Sequence, residues 1–490
     1  MPQSTSTRNQ KKTITIFLPS KLNINALNVA LTGRPGTSAL TKGVCYLYHY
    51  ILKQSCNSYK ESDFAPGYTQ VPCGVLRSLL SESYSKTVEL LIRDGYLERL
   101  DVNEDGVYFA QGYYRPTVCL DPTAKRFRIP AALLGEESSY VVKKEVVGKS
   151  TLNKFKAFSA PKGLIAGDPE REHVRRMMQK IVLLDNPECR EVVERLAAEQ
   201  RILQPAVLYF ELFNHSPFRL VVIDIFGRRL HSEVVNASKA LRPYLRFLDR
   251  PDDRLVEIDL VNSQPALFAS ITPVLINRFA PECAAARPLF KAVKHKEDYQ
   301  HYQRLCFDSG IYEYLQTEFN RAYGDKLRKL LTRDDAKNIF FVGAFSDYAF
   351  LDCQHEGTWE KKRDDAIRWG EPDEVFNRIE ETLHAIRSYQ LLKKLFPSLV
   401  ELFAQLKQLD WTALGCKKEH ATNCLLVQRI ESGLIFNVLV KALLAAGIDY
   451  VVTLHDALFL REVDAEKARK IVREELSKLG LKLKLKLKAK

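Results

Sequence analysis

The sequence predicts an α+β protein with an N-terminal helix–turn–helix module, a helical connecting region, and a C-terminal region where helices surround an antiparallel sheet. Three observations carry that expectation. Between residues 74 and 116, two short helical patterns separated by a serine-rich turn run into a hairpin signal. Residues 169–201 and 375–408 repeat apolar side chains at helical spacing, with charged outer faces. Two short apolar runs, Leu255–Leu260 and Tyr450–Leu460, read as buried strands with an aspartate at a strand end or turn.

At about 150 residues per domain, 490 residues correspond to roughly three domains. A content of 46% hydrophobic and 27% charged residues excludes a mostly disordered or fibrous chain. The formal net charge of +13 fits a polyanionic partner, nucleic acid first, although such an excess also serves solubility alone. Residues 1–12 are polar and basic, have no apolar core of a signal peptide, and read as a disordered tail.

Residues 13–120 form the first expected domain. TITIFLP alternates like a strand, and residues 39–56 have helical period. A loop rich in Ser, Asp, Gly and Pro then runs to Pro72. Next are a helix over 74–80, a turn at Ser81–Ser83, a second helix over 84–94 stopped by Gly95, and a hairpin turning at Asn103–Gly106. Residues 121–215 read as a basic linker, with a boundary near Gly167–Pro169, followed by helix. The C-terminal expectation is a strand-bearing segment over 216–290, helices over 291–425, and a second strand-bearing segment over 426–490. The strict alternation of the final KLKLKLK favours a half-exposed strand. The ten cysteines make no C-x-x-C pair and no zinc spacing, which points to reduced thiols in a cytoplasmic protein. No run of about 18 apolar residues occurs, so no membrane span or membrane partner is expected.

The chemistry concentrates after residue 216. Asp259 ends one apolar run, and Asp456 sits at the turn His455–Asp456 of the other. Two carboxylates held side by side repel unless a cation neutralises them, and hard oxygen ligands favour Mg²⁺ or Mn²⁺. An aspartate at a strand end also serves as a turn or helix cap, so the pair alone leaves both readings open. Arg333, Lys337, Phe341 and Phe345 recur every four residues and share one helical face. Two cations followed by two rings could hold a triphosphate and stack a base. The same face could equally be a solvated cation pair beside core phenylalanines.

Two resemblances sharpen this. The 74–116 segment, with SKTVELLIRDGYLERL, resembles a winged helix, which implies that the second helix, carrying Lys86 and Arg93, enters the DNA major groove. Winged helices also dock proteins, and the modest charge leaves that reading open. Residues 216–490 resemble the palm and fingers of family A DNA polymerases. R-x3-K-x3-F-x3-F is similar to motif B, Asp259 with Gln264 and ALFA to motif A, and the His455–Asp456 turn to motif C, in the right chain order. FGRRLHSEVVNASKALRPYLRF is similar to the segment before motif A, and VQRIESGLIFNVLVKAL to the palm helix before motif C.

The resemblance implies a nucleotidyltransferase in which Asp259 and Asp456 hold two Mg²⁺ or Mn²⁺ ions. Arg333 and Lys337 would hold the dNTP phosphates, Phe341 and Phe345 would pack at the nascent pair, and Gln264 would lie under the sugar. Arg228, Arg242, Gln428 and His455 would contact a DNA primer–template, with an RNA template also open, and residues 121–215 would be thumb-like. Pairing with a winged helix suggests a replication protein of a plasmid, phage or mobile element, working with a helicase or other replication protein. The chain departs from the family at Gln264 (usually Glu), at Phe345–Ser346 (usually Tyr-Gly) and at Ala457 (usually acidic). The alternatives are an RNA polymerase or primase of the same fold and a non-catalytic DNA-binding replication initiator.

Overall fold

Residues 12–55, 69–82, 84–100, 108–110, 113–115, 125–134, 140–147, 168–199, 206–215, 221–327, 329–416 and 418–489 are described by the computed structural model of this α+β protein. The chain divides into two compact units, one from residues 1–161, 178–221 and 232–254, the other from 162–177, 222–231 and 255–490.

In the first unit, β1 (Lys12–Pro19) pairs antiparallel along its length with β7 (Tyr140–Val147). Helices α1 (Ile24–Thr32) and α2 (Ala39–Ser55) precede strand β2 (Thr69–Val71), and α3 (Cys73–Leu80) and α4 (Tyr84–Arg93) follow it. Leu47, Tyr48, Ile51, Leu76, Leu80, Val88 and Leu91 bury the facing sides of α2, α3 and α4 in one core. The Tyr48 hydroxyl donates to the Tyr96 carbonyl at 2.7 Å, tying α2 to the exit of α4. Both helices of the expected helix–turn–helix lie within a residue of their sequence-based bounds.

The strands after α4 differ from the expected hairpin. β3 (Glu98–Leu100) pairs with β6 (Lys125–Arg128), which also pairs with β2, giving the order β2-β6-β3. β4 (Tyr108–Ala110) pairs instead with β5 (Tyr113–Arg115). The predicted turn Asn103–Gly106 and the predicted tail 1–12, apart from Lys12, lie outside the described residues. The physical reason for the difference is that β3 finds its partner beyond a second, shorter hairpin, and turn chemistry signals only the nearest reversal. The 169–201 stretch is two helices, Pro169–Met178 and Pro187–Ala198, with β8 (Ile181–Leu183) between them. Asn186 caps the second helix and Pro187 opens it, so one continuous helix is ruled out there. β8 pairs with β11 (Leu245–Phe247).

The second unit is built on a four-stranded antiparallel sheet ordered β13-β14-β12-β15: β12 is Leu255–Leu260, β13 Val451–Leu454, β14 Ala457–Arg461 and β15 Leu485–Ala489. Val256, Ile258 and Leu260 bury one face of β12, paired with Leu460, Leu458 and the leucines of β15. The second half of the KLKLKLK segment, from Leu485, is thus a strand, as its alternation suggests, while residues 482–484 lead into it without strand structure. Strands β9 (Val221–Ile223) and β10 (Leu230–Ser232) flank the loop 224–229. The Arg333–Phe345 helix opens with a capping box between Thr332 and Asp335. It is held by an aromatic cluster in which Phe340 meets Phe268, Tyr302 and Phe403. The 375–408 stretch is again two helices, Asp373–Leu395 and Pro397–Lys407, broken where Pro397 removes a backbone donor. A helical run over Glu419–Ala445 is long and apolar enough to cross a membrane, and 83% of its apolar window is buried as the core of this unit. Every cysteine among the described residues is a free thiol.

Candidate active site

The sheet register brings the two aspartates together. Asp259 on β12 lies opposite Ala457 on β14, and Asp456 precedes Ala457 in the two-residue turn that joins β13 to β14. His455 takes the left-handed backbone conformation such a tight hairpin turn needs, at φ 55°. Burial pushes the Asp456 carboxyl above its ordinary range. A hydrogen bond from Ser263 Oγ opposes that push, and the charge of Asp259 adds to it. The aspartates are therefore close enough to repel. Asp259 Oδ2 accepts a hydrogen bond from Lys488 Nζ at 2.6 Å, and the same ammonium reaches Glu257 Oε1 at 2.7 Å.

The residues after β12 connect this pair to the cationic helix. Asn262, in the left-handed region at φ 52°, opens the Ser263–Ser270 helix. Its Oδ1 accepts from Arg333 Nη2 at 3.2 Å, while the next residue, Ser263, donates to Asp456. Arg333 also pairs with Glu313 and lies 5.5 Å over the ring of Tyr312, whose hydroxyl feels the charges of both Arg333 and Asp456. Lys337, one turn on, pairs with Asp334 at 2.6 Å. Both cations remain about two-fifths exposed, and ion pairs that exposed are weak and readily exchanged for a stronger anion.

Phe341 and Phe345 continue the row half-buried and stacked on each other at 5.9 Å, while Ala336, Ile339, Phe340 and Ala344 fill the opposite, buried face. Gln264 buries its Oε1 without a hydrogen-bond partner at the start of the helix that follows Asp259. A buried carbonyl oxygen is costly to leave unsatisfied, so this acceptor calls for a hydrogen-bond donor.

Beside the pair, the loop 224–229 is organised by Asp224. Burial pushes its carboxyl up, but hydrogen bonds from His231 and from the N–H groups of Gly227 and Arg229 hold it below its ordinary range. A Cβ on Gly227 would fall 2.3 Å from Gln428 Oε1, so only glycine lets the loop approach that side chain. Arg228, at φ 58°, pairs with Glu282 at 3.2 Å. His455 meets His231 edge-on at 5.4 Å between ring centres.

The sequence reading missed Ser263, Asn262, Lys488 and the buried pair Arg229–Glu431, in which Nη2 lies 2.6 Å from Oε1. Burial pushes the Glu431 carboxyl up to about 7, Arg229 opposes this, and Asp456 adds to it. An acidic residue in an otherwise apolar helix run was the available signal. The expected site residues Arg228, Asp259, Gln264, Arg333, Lys337, Phe341, Phe345, Gln428, His455 and Asp456 all fall in the second unit. Lys86 and Arg93, exposed on α4, and Arg242, in the turn Lys239–Tyr244, fall in the first.

Among the described residues no three His, Cys, Asp or Glu side chains converge as a metal cage. Asp259 and Asp456 are the carboxylates that could hold a hard cation such as Mg²⁺ or Mn²⁺, an ion that often takes only one or two carboxylates and completes its shell with water. No family model matches the chain, and no curated protein matches it in sequence.

Proposed function

We propose that this chain is a template-directed DNA polymerase of the family A type, with a winged-helix module for binding DNA. The observation that carries the reading is the bridge at Asn262–Ser263. Two successive residues after β12 hold Arg333 with one side chain and Asp456 with the other, so that an anion clamp and an acidic pair share one site. The antiparallel order β13-β14-β12-β15 supports a palm, and the order β2-β6-β3 around α3 and α4 supports a winged helix.

In this reading Arg333 and Lys337 exchange Glu313 and Asp334 for the β- and γ-phosphates of a dNTP. Phe341 and Phe345 flank the nascent base pair, and Gln264 receives the sugar. Arg228, Arg242, Gln428 and His455 contact the primer–template, and Lys86 and Arg93 bind DNA through the winged helix. Mg²⁺ or Mn²⁺ at Asp259 and Asp456 would lower the pKa of the primer 3′-hydroxyl and offset charge developing on the transferred phosphoryl group. A replication protein of a plasmid, phage or mobile element, acting beside a helicase, is the setting that fits the domain pairing.

Primer extension on a labelled primer–template, with Mg²⁺ and either dNTPs or rNTPs, tests the proposal. We expect template-directed extension that Asp259→Ala and Asp456→Asn abolish while DNA binding persists. Extension that survives Asp456→Asn would remove the assigned site. Gln264 is neutral where the family carries a carboxylate, which favours rNTP use as the second reading, and the two nucleotide sets decide between them.

A further inference from the structure

The ammonium of Lys488 sits where the acidic pair needs a cation. It contacts Asp259 Oδ2 at 2.6 Å and Glu257 Oε1 at 2.7 Å, and its side chain keeps about a third of its exposure. The contact follows from register. Glu257 pairs with Lys488 and Asp259 with Lys486 across β12 and β15, so both acids and both lysines project from one face of the sheet. Glu257 is buried at 2% exposure, so a positive charge near it offsets a large desolvation cost. Asp259 lies one residue from the end of the strand, about a fifth exposed, beside the turn that carries Asp456.

We propose that Lys488 is a resident cation gating the acidic site. It neutralises Asp259 in the free protein, and a divalent ion binds Asp259 only by displacing the ammonium, which stays anchored on Glu257. The inference rests on the polymerase reading, because it takes Asp259 and Asp456 as the ion-binding pair. A charge-assisted hydrogen bond that must be given up weakens divalent binding, and removing it tightens binding by roughly tenfold. No covalent bond is made or broken in the exchange; the ammonium's hydrogen bond to Asp259 Oδ2 is given up and the divalent ion takes its place at the same oxygen.

The test is a Mn²⁺ titration of the full chain, with free Mn²⁺ read by electron paramagnetic resonance. The proteins are wild type, Lys488→Gln, Lys488→Arg and the double variant Lys488→Gln/Asp259→Asn, each checked for folding by circular dichroism. We expect Lys488→Gln to bind Mn²⁺ roughly tenfold more tightly than wild type. Lys488→Arg, which keeps the cation, should stay near wild type, and the double variant should lose the site. Equal or weaker binding by Lys488→Gln, together with loss in the double variant, would overturn the gate and leave the acidic pair intact. Binding that persists in the double variant, or is absent from every protein at millimolar Mn²⁺, would overturn both the gate and the metal-dependent reading.

Discussion

Glu431 is a buried carboxyl whose pKa stands at about 7, well above that of an unfolded glutamate. Between about pH 4.3 and 7 the unfolded chain has released this proton while the folded chain keeps it, so stability falls as pH rises through that window. Glu431→Gln cannot titrate. Its melting temperature, relative to wild type, is expected to climb from pH 5 to pH 7 and level off above, which thermal melts at matched ionic strength would show. Lys407 behaves in the opposite sense. Burial drives its ammonium down to about 7; Nζ donates to the Ser346 carbonyl at 2.7 Å and lies 3.2 Å from the centre of the Tyr348 ring. From pH 7 to about 10 the unfolded lysine keeps a proton that the folded one has lost, so wild-type stability rises with pH there. Lys407→Met should abolish that rise, and an unchanged slope in urea melts at pH 7 and 9 would contradict it. Glu431 left only one mark in the sequence, an acid within an apolar helix run, and Lys407 left none. A glutamate and a lysine in helical runs read as surface positions until their surroundings are known, and Arg229 lies 202 residues from Glu431.

Single elements were more legible than their pairings. The Arg333–Phe345 helix was readable because a four-residue spacing fixes a helical face without any tertiary information, and α3 and α4 because turn chemistry bounds them locally. The partner of β3 was not readable, since pairing over a long insertion leaves no local mark. Close packing between helices is similarly hidden. Gly343 abuts the Asp373–Leu395 helix so tightly that an added Cβ would fall 2.1 Å from Leu392 Cδ2, and Leu392 is fully buried. Gly343→Ala would gain about 1 kcal/mol of helix propensity. We expect the overlap to outweigh it, with a net loss of about 1–3 kcal/mol in urea unfolding and slower nucleotide incorporation. A stabilised variant would mean that the two helices separate at no cost.

For the whole molecule, Lys86 and Arg93 belong to one compact unit and the acidic pair to the other. The Lys86→Ala/Arg93→Ala variant should weaken DNA binding about equally across sequences and reduce the salt slope of binding by roughly two charges' worth, measured by anisotropy at several salt concentrations. Under the polymerase proposal, extension of a saturating primer–template should be unaffected, whereas loss of extension would tie α4 to extension as well as to binding. The helix at Pro169–Met178 was not separable from the one at Pro187–Ala198, because amphipathic period alone does not say which unit a helix joins.

Strand β15 forms one border of the four-stranded sheet. A border strand offers unpaired backbone groups to any other chain that lies alongside, the route by which sheets propagate into aggregates. Lys484 and Lys486 stand exposed at this border, so that a second copy would have to bury ammonium groups in register with its own. The same lysine repeat that reaches toward the acidic pair therefore keeps the sheet from growing, and charge-neutralising changes along it carry a solubility penalty separate from any effect on catalysis.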